Sequence, residues 1–326
     1  MKRRALLVAS GAWLAAAAVR SFAQAPKLPR RIAYLHPGTE AGSGPIFETF
    51  RIEMKRLGYV EGRDIAIETN WAEGKFDRLA ALAADVVASD PAVIVTSSSS
   101  AVAALKKATA AIPIVFATVL NPVEQGFVAS LGRPGGNITG VIIHSGLEAK
   151  MAEIIREALP TARRLAFLVH DPDPIAKSHL ESIESVAKRL KFELIVVRVV
   201  RTEDFERAFK ELAAGKADAL SVPTSAFLAT NRMQIIERAR SARLPLFSTW
   251  MQTVEDGGLL AYGTRQEENF RRTAALVDKI LRGAKPGDLA VEQPEKFEMV
   301  VNMKTAKAIG VKLSQTTMLR VTKVIE

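Results

Sequence analysis

Two kinds of apolar pattern alternate along this chain. Short runs of β-branched and aliphatic residues, bounded by polar or proline-containing elbows, read as buried strands. Longer stretches with an apolar residue every three or four positions read as amphipathic helices. In the first half the strands fall at 30–35, 65–69, 92–96, 114–117 and 138–143. Helices are expected at 47–57, ended by Gly58 in a left-handed cap, at 76–89, and from the serine run to residue 111. The residues Val123, Phe127, Val128 and Leu131 predict a further helix, closed by the turn at 133–137. The small, glycine-rich segment 41–45 reads as a mobile loop. A second series comes next, with helices at 147–159, 175–190, 203–213 and 231–242 and strands at 165–169, 193–199, 219–222 and 246–248. Beyond it come a strand at 259–262, a helix at 267–281, a linker at 286–293, a strand at 297–302 and a helix at 304–309.

Strand–helix alternation with apolar strands predicts an α/β fold of two halves, each a parallel sheet flanked by helices, with a cleft between two lobes. Ligands of open parallel sheets sit beyond the carboxyl ends of the strands, so the polar elbows there are the candidate site. The first lobe offers Pro37 and Gly38, the run Ser97, Ser98 and Ser99, then Thr118 and Asn121. The second offers His170, Thr224 and Ser225, with Trp250 and Tyr262 beside strand ends as stacking surfaces. Ser97–Ser100 opens a helix, where hydroxyls and free N–H groups suit a carboxylate or other anion. A plain N-cap accounts for one of these serines. His36 and His170 each sit at a strand end, one per lobe, and are candidates to meet across the cleft. No catalytic or metal-binding motif appears among the four histidines, and no nucleophile elbow or dinucleotide fingerprint is present. No enzyme, cofactor or metal is expected.

Composition changes this picture at the amino terminus. Lys2, Arg3 and Arg4 precede the apolar segment 5–19, and Ser21-Phe22-Ala23 offers small residues for cleavage, so residues 1–23 read as a secretory signal peptide. The apolar run is shorter than the roughly 20 residues a spanning helix needs. The absence of cysteine excludes a lipid-anchored cysteine, a thiolate metal site and a redox pair. Removal of the leader lowers the net charge from +10 to about +6, scattered among acids rather than gathered in a stripe, which excludes a nucleic-acid surface. The mature protein is expected to be a soluble periplasmic monomer, not inserted in a membrane.

Three stretches carry a family resemblance: LGYVEGRDIAIETNWAEGKFDRLAALAADVV at 57–87, IPIVFATVLNPVEQGFVASLGRPGGNITG at 112–140, and GAKPGDLAVEQPEKFEMVVNMKTAKAIGVKL at 283–313. They resemble the ABC-transporter substrate-binding proteins of the tryptophan/tyrosine type, over essentially the whole mature chain. The resemblance implies the type 1 periplasmic-binding-protein fold of two Rossmann-like lobes, with lobe 1 at 30–143 plus 263–285 and lobe 2 at 144–262 plus 290–326. It also implies a small-molecule ligand held between the lobes, and a permease with its ATPase as partners. Relatives that hold an aromatic amino acid commonly carry x-Asp-Pro where this chain has Leu120-Asn121-Pro122. A neutral Asn121 supplies no charge for an ammonium group, so carboxylates, amides and other small polar solutes stand beside amino acids. Two rivals remain: a sensory protein docking on a receptor kinase, and an exported hydrolase using His36 or His170 as base.

Overall fold

The computed structural model describes residues 28–326; the signal-peptide reading lies outside the described residues. The first half builds β1 (Arg30–His36), α1 (Glu40–Arg56), β2 (Ile65–Trp71), α2 (Leu79–Ala88), β3 (Val93–Thr96), α3 (Ser99–Ala108), β4 (Ile114–Val119) and β5 (Ile138–Ile142). Their strands form one parallel sheet in the order β2-β1-β3-β4-β5. Ile32 and Tyr34 point to one face while Ala33 and Leu35 point to the other, and all four are buried. Period-two alternation with both faces apolar means that helices must cover both sides. Phe47, Phe50 and Met54 of α1 cover one face; Leu79, Ala83 and Val86 of α2 with Val102 and Leu105 of α3 cover the other.

The second half adds α4 (Leu147–Ala158), β6 (Arg164–His170), α5 (Ala176–Arg189), β7 (Glu193–Val199), α6 (Asp204–Ala214), β8 (Ala219–Val222), α7 (Ala226–Thr230), α8 (Arg232–Ser241), β9 (Leu246–Ser248), α9 (Met251–Glu255) and β10 (Leu260–Thr264). The chain ends with α10 (Gln266–Leu281), β11 (Phe297–Asn302), α11 (Met303–Ile309), α12 (Gln315–Arg320) and β12 (Lys323–Ile325). The second sheet runs β12-β11-β10-β9-β8-β6-β7. It departs from the all-parallel expectation at β11, which is antiparallel to β10, and at β12, which is parallel to β11, so these two strands run against the other five. After β10 the chain returns to the first sheet: Phe270, Ala274 and Val277 of α10 pack with Tyr34, Phe50 and Val115. Gly263 and Thr264 stay in the second lobe, paired with Glu298 and Phe297, and Val291 packs into the first. The crossings therefore lie a residue or two away from 263 and 290. Two crossing segments run side by side, with Ile142 donating to the Glu292 carbonyl (3.0 Å) and Glu292 to that of Gly140 (2.8 Å). Gly140 is required there, because a Cβ would lie 2.1 Å from the Phe116 carbonyl oxygen.

Two expectations need correction. Residues 41–45 are not a loop but the opening turns of α1, capped by Thr39, whose hydroxyl accepts from the Gly42 N–H (3.1 Å). Their glycines serve close packing rather than mobility: a Cβ on Gly42 would meet the Cα of Thr230 at 3.4 Å. The second is the helix over 123–131, which is absent. One turn forms after Pro122, then Gly126 enters the left-handed region (φ 68°) and Phe127 N–H bonds back to the Pro122 carbonyl, ending it. Phe127 and Val128 are still buried, so their apolar spacing reports packing of an irregular segment. The short elements α7, α9, α12 and β12 have no counterpart in the apolar pattern.

Candidate ligand-binding site

The carboxyl ends of β1, β3 and β4 face those of β8 and β9 across a small, partly open space of about 40 Å³, room for only a few waters. Lobe 1 lines it with His36, Ser97 and Thr118 from strand ends, Ser43 and Ile46 from α1, and Gln266 from the first turn of α10. Lobe 2 contributes Thr224, Ser225, Trp250 and the small residues Ala226 and Ala229 of α7.

Each lobe-1 group is held by its neighbours. The buried Tyr34 ring stacks on Phe47 at 3.8 Å, and its hydroxyl meets Ser97 Oγ at 3.0 Å. Burial raises the Tyr34 pKa, so the phenol stays protonated. Thr118 Oγ1 donates to the Ser97 carbonyl (2.7 Å), tying β4 to the elbow after β3. His36 Nδ1 accepts the Gly38 N–H (3.0 Å), and burial pulls its pKa down to about 3. The ring is thus neutral at pH 7, with its proton assigned to Nε2 by that hydrogen bond.

The lobe-2 wall is supported from behind. Thr224 and Thr249 share a hydroxyl contact of 2.9 Å. The Thr224 carbonyl faces His179 Nε2 at 3.2 Å, and His179 Nδ1 lies 2.8 Å from Glu148 Oε1. Burial opposes charge on His179, but the Glu148 carboxylate outweighs it and holds the imidazole above its ordinary value. Both nitrogens face acceptors, as a protonated ring requires. Behind Trp250 the Arg232 guanidinium lies 5.2 Å from the ring centroid and pairs with Asp256 at 2.5 Å. The same guanidinium donates across the cleft to the Gly42 carbonyl (3.2 Å).

Of the residues singled out in the sequence, Ser97, Thr118, Thr224, Ser225 and Trp250 come together here. Pro37 and Gly38 form the adjoining elbow, where a Cβ on Gly38 would stand 2.6 Å from Thr230 Oγ1. Ser98 and Ser99 are turned elsewhere: Ser98 Oγ pairs with Ser100 Oγ at 2.7 Å, and Ser99 Oγ accepts from Gln125 at 3.1 Å. Asn121 occupies a turn with φ 46°, its amide donating to Glu124 at 3.0 Å, and does not line the cavity. His170 stacks on Phe227 at 4.1 Å with Phe76 of lobe 1 at 5.1 Å, so it packs between the lobes and does not meet His36. Tyr262 stacks on Phe297 at 5.6 Å within lobe 2. Ser43, Ile46 and Gln266 were missed because they lie on helices, where only tertiary packing brings them to strand ends. Among the described residues no group of three potential metal ligands gathers, and no helix is long and apolar enough to cross a membrane.

Residues 37–325 match the family described as ABC transporter substrate binding protein. A tyrosine-binding protein of Clostridioides difficile (strain R20291) is 26% identical over 256 residues, covering 78% of this chain and 74% of the relative. An ABC domain from Streptococcus pneumonia solved in complex with L-Trp is 22% identical, with a TM-score of 0.83 over 91% of this chain and 100% of the neighbour. The ligand-free, open structure of a substrate binding protein with adhesive properties from Clostridium difficile is 21% identical, with a TM-score of 0.64 over 91% and 99%.

Proposed function

This chain belongs to the ABC transporter substrate-binding protein family, whose members bind rather than transform their ligands, and on that premise we propose that it captures a small polar solute between its lobes for delivery to a membrane permease. The observation that carries this reading is the buried, hydroxyl-rich space shared by both lobes. The groups we assign to binding are His36, Ser97, Thr118, Thr224, Ser225 and Trp250, with Ser43 and Gln266 beside them. Capture by closure buries the ligand and makes loaded and empty protein distinguishable to a partner.

The arrangement of the lobes corresponds to a closed state. Supporting it are the cross-cleft bond from Arg232 to Gly42 and the close fit of Gly38 against Thr230. The higher TM-score against the L-Trp complex than against the open, ligand-free structure agrees, at nearly equal identity and coverage. A volume of about 40 Å³ is too small for a solute of aromatic amino-acid size, so the loaded form holds the lobes further apart than they stand here. The relatives that carry tyrosine and L-tryptophan make carboxylates of that size the first class to test. We assign residues 1–23 to an export signal, and the mature protein to the periplasm as a monomer.

Native mass spectrometry of mature protein purified without denaturation tests the reading. The expected result is a retained small molecule, lost when Ser97 and Ser225 are both changed to alanine. A protein that retains nothing, and whose thermal midpoint no amino acid, carboxylate or amide raises, would overturn it.

A further inference from the structure

Resting on the solute-binding reading above, the charge of the cavity wall narrows the kind of solute. Every side chain that lines the space is uncharged at neutral pH: five hydroxyls, one amide, one neutral imidazole, an indole and three aliphatic groups. The nearest guanidinium, Arg232, sits behind the Trp250 ring and is already neutralised by Asp256. No carboxylate lines the cavity among the described residues.

Donors, by contrast, are available. His36 presents its Nε2–H, since Nδ1 is occupied by Gly38. Ser97, whose hydroxyl meets Tyr34 and has one further hydrogen bond to give, lies just before Ser98, which starts the ten-residue helix α3 without a side-chain cap. Ser225, 5% exposed, lines the cavity with a hydroxyl that has no hydrogen-bond partner. Its oxygen is itself buried, so a solute reaches it as the lobes part, and a buried hydroxyl left unpaired is costly enough to favour a partner there. A carboxylate satisfies these donors. An ammonium group in the same space would be stripped of water and offered only neutral oxygens, without a counter-charge.

We propose that this site takes a small carboxylic acid lacking an amino group, its anionic end among His36, Ser97 and Ser225 and its apolar body against Trp250 and Ile46. The solute is then the deaminated counterpart of an aromatic or aliphatic amino acid rather than the zwitterion.

The test is calorimetric titration of the mature protein at pH 7.5 with two matched pairs. One pair is L-tyrosine and 3-(4-hydroxyphenyl)propionate; the other is L-tryptophan and indole-3-propionate. At least one des-amino acid should bind tenfold or more tightly than its amino-acid partner. Gln266→Glu, which sets a carboxylate in the wall at a helix start that tolerates one, should move that ratio at least tenfold toward the amino acid. Equal or tighter binding of the amino acids by the wild type overturns this inference and leaves the solute-binding reading standing. Failure of both des-amino acids to bind at millimolar concentration, or a ratio unmoved by Gln266→Glu, also overturns it. A protein that binds none of the four and retains no solute in native mass spectrometry loses both readings.

Discussion

The two elbows that face each other across the cleft begin alike and end differently. Ser98 and Ser225 both precede a helix in extended backbone, at φ −146°, ψ 135° and φ −151°, ψ 136°, and neither caps its helix with its side chain. In lobe 1 the hydroxyls after β3 are satisfied within the lobe, by Tyr34, by Ser100 and by Gln125. In lobe 2 the Ser225 hydroxyl is left without a partner, and the elbow is braced from behind by Glu148 and His179. The same strand–serine–helix unit thus serves once as a fixed wall and once as an open hand. Local sequence does not separate the two, and the neighbours do.

The contrast breaks most visibly in stability. Glu148→Ala leaves a buried imidazole without its counter-charge, and should cost about 3–5 kcal/mol in urea unfolding. Tyr34→Phe removes one hydroxyl contact from the lobe-1 elbow and should cost only about 0.5–1.5 kcal/mol. Equal losses would mean that the Glu148 pair is no pillar. Binding comes next. Ser225→Ala should weaken the solute by about tenfold, the loss of one charge-assisted bond, while Ser98→Ala changes affinity less than about threefold. If Ser98→Ala is the more damaging, the roles of the two elbows are reversed.

A further contrast is in pH. The folded His36 pKa, about 3, lies below its ordinary value, so its contribution is intact at neutral pH and lost progressively as pH falls from about 6.5 toward 3. His179 has a raised value, so its pair contributes fully below about pH 6.5 and is lost as pH rises through the folded value. His36→Asn keeps an acceptor for the Gly38 N–H but does not titrate. The gap in thermal midpoint between wild type and this variant should therefore narrow from pH 7 to pH 4. A gap that widens would show that His36 is charged in the folded protein.

Much of this arrangement was legible from residue order. The runs at 193–199, 219–222, 246–248 and 297–302 are strands over the same residues, and at 219–222 and 246–248 every residue is buried, as in a sheet covered on both faces. Ser97, Thr118, Thr224, Ser225 and Trp250 were reachable because each sits at or just past the carboxyl end of such a strand. Segment 41–45 was misread because glycine signals both looseness and close approach, and only Thr230 on the other lobe tells which. The stretch 123–131 was misread because apolar spacing reports burial, and burial does not require a helix. Ser98, Ser99 and Asn121 were misplaced for a third reason. At an elbow, one residue of phase decides whether a side chain faces the cleft or its own lobe, and sequence spacing carries no phase through a turn.

The placement of the two tryptophans among the described residues has an optical consequence. Trp250 lines the cavity, and Trp71, at the end of β2, lies edge-on to His36 with ring centroids 5.6 Å apart. The third, Trp13, falls in the segment we assign to an export signal. Both indoles among the described residues therefore line the cavity or lie beside a residue that does, and the molecule carries its own emission gauge. Parting of the lobes admits water to Trp250 and redshifts its light, so the pace of capture can be followed in a stopped-flow cell with no dye attached.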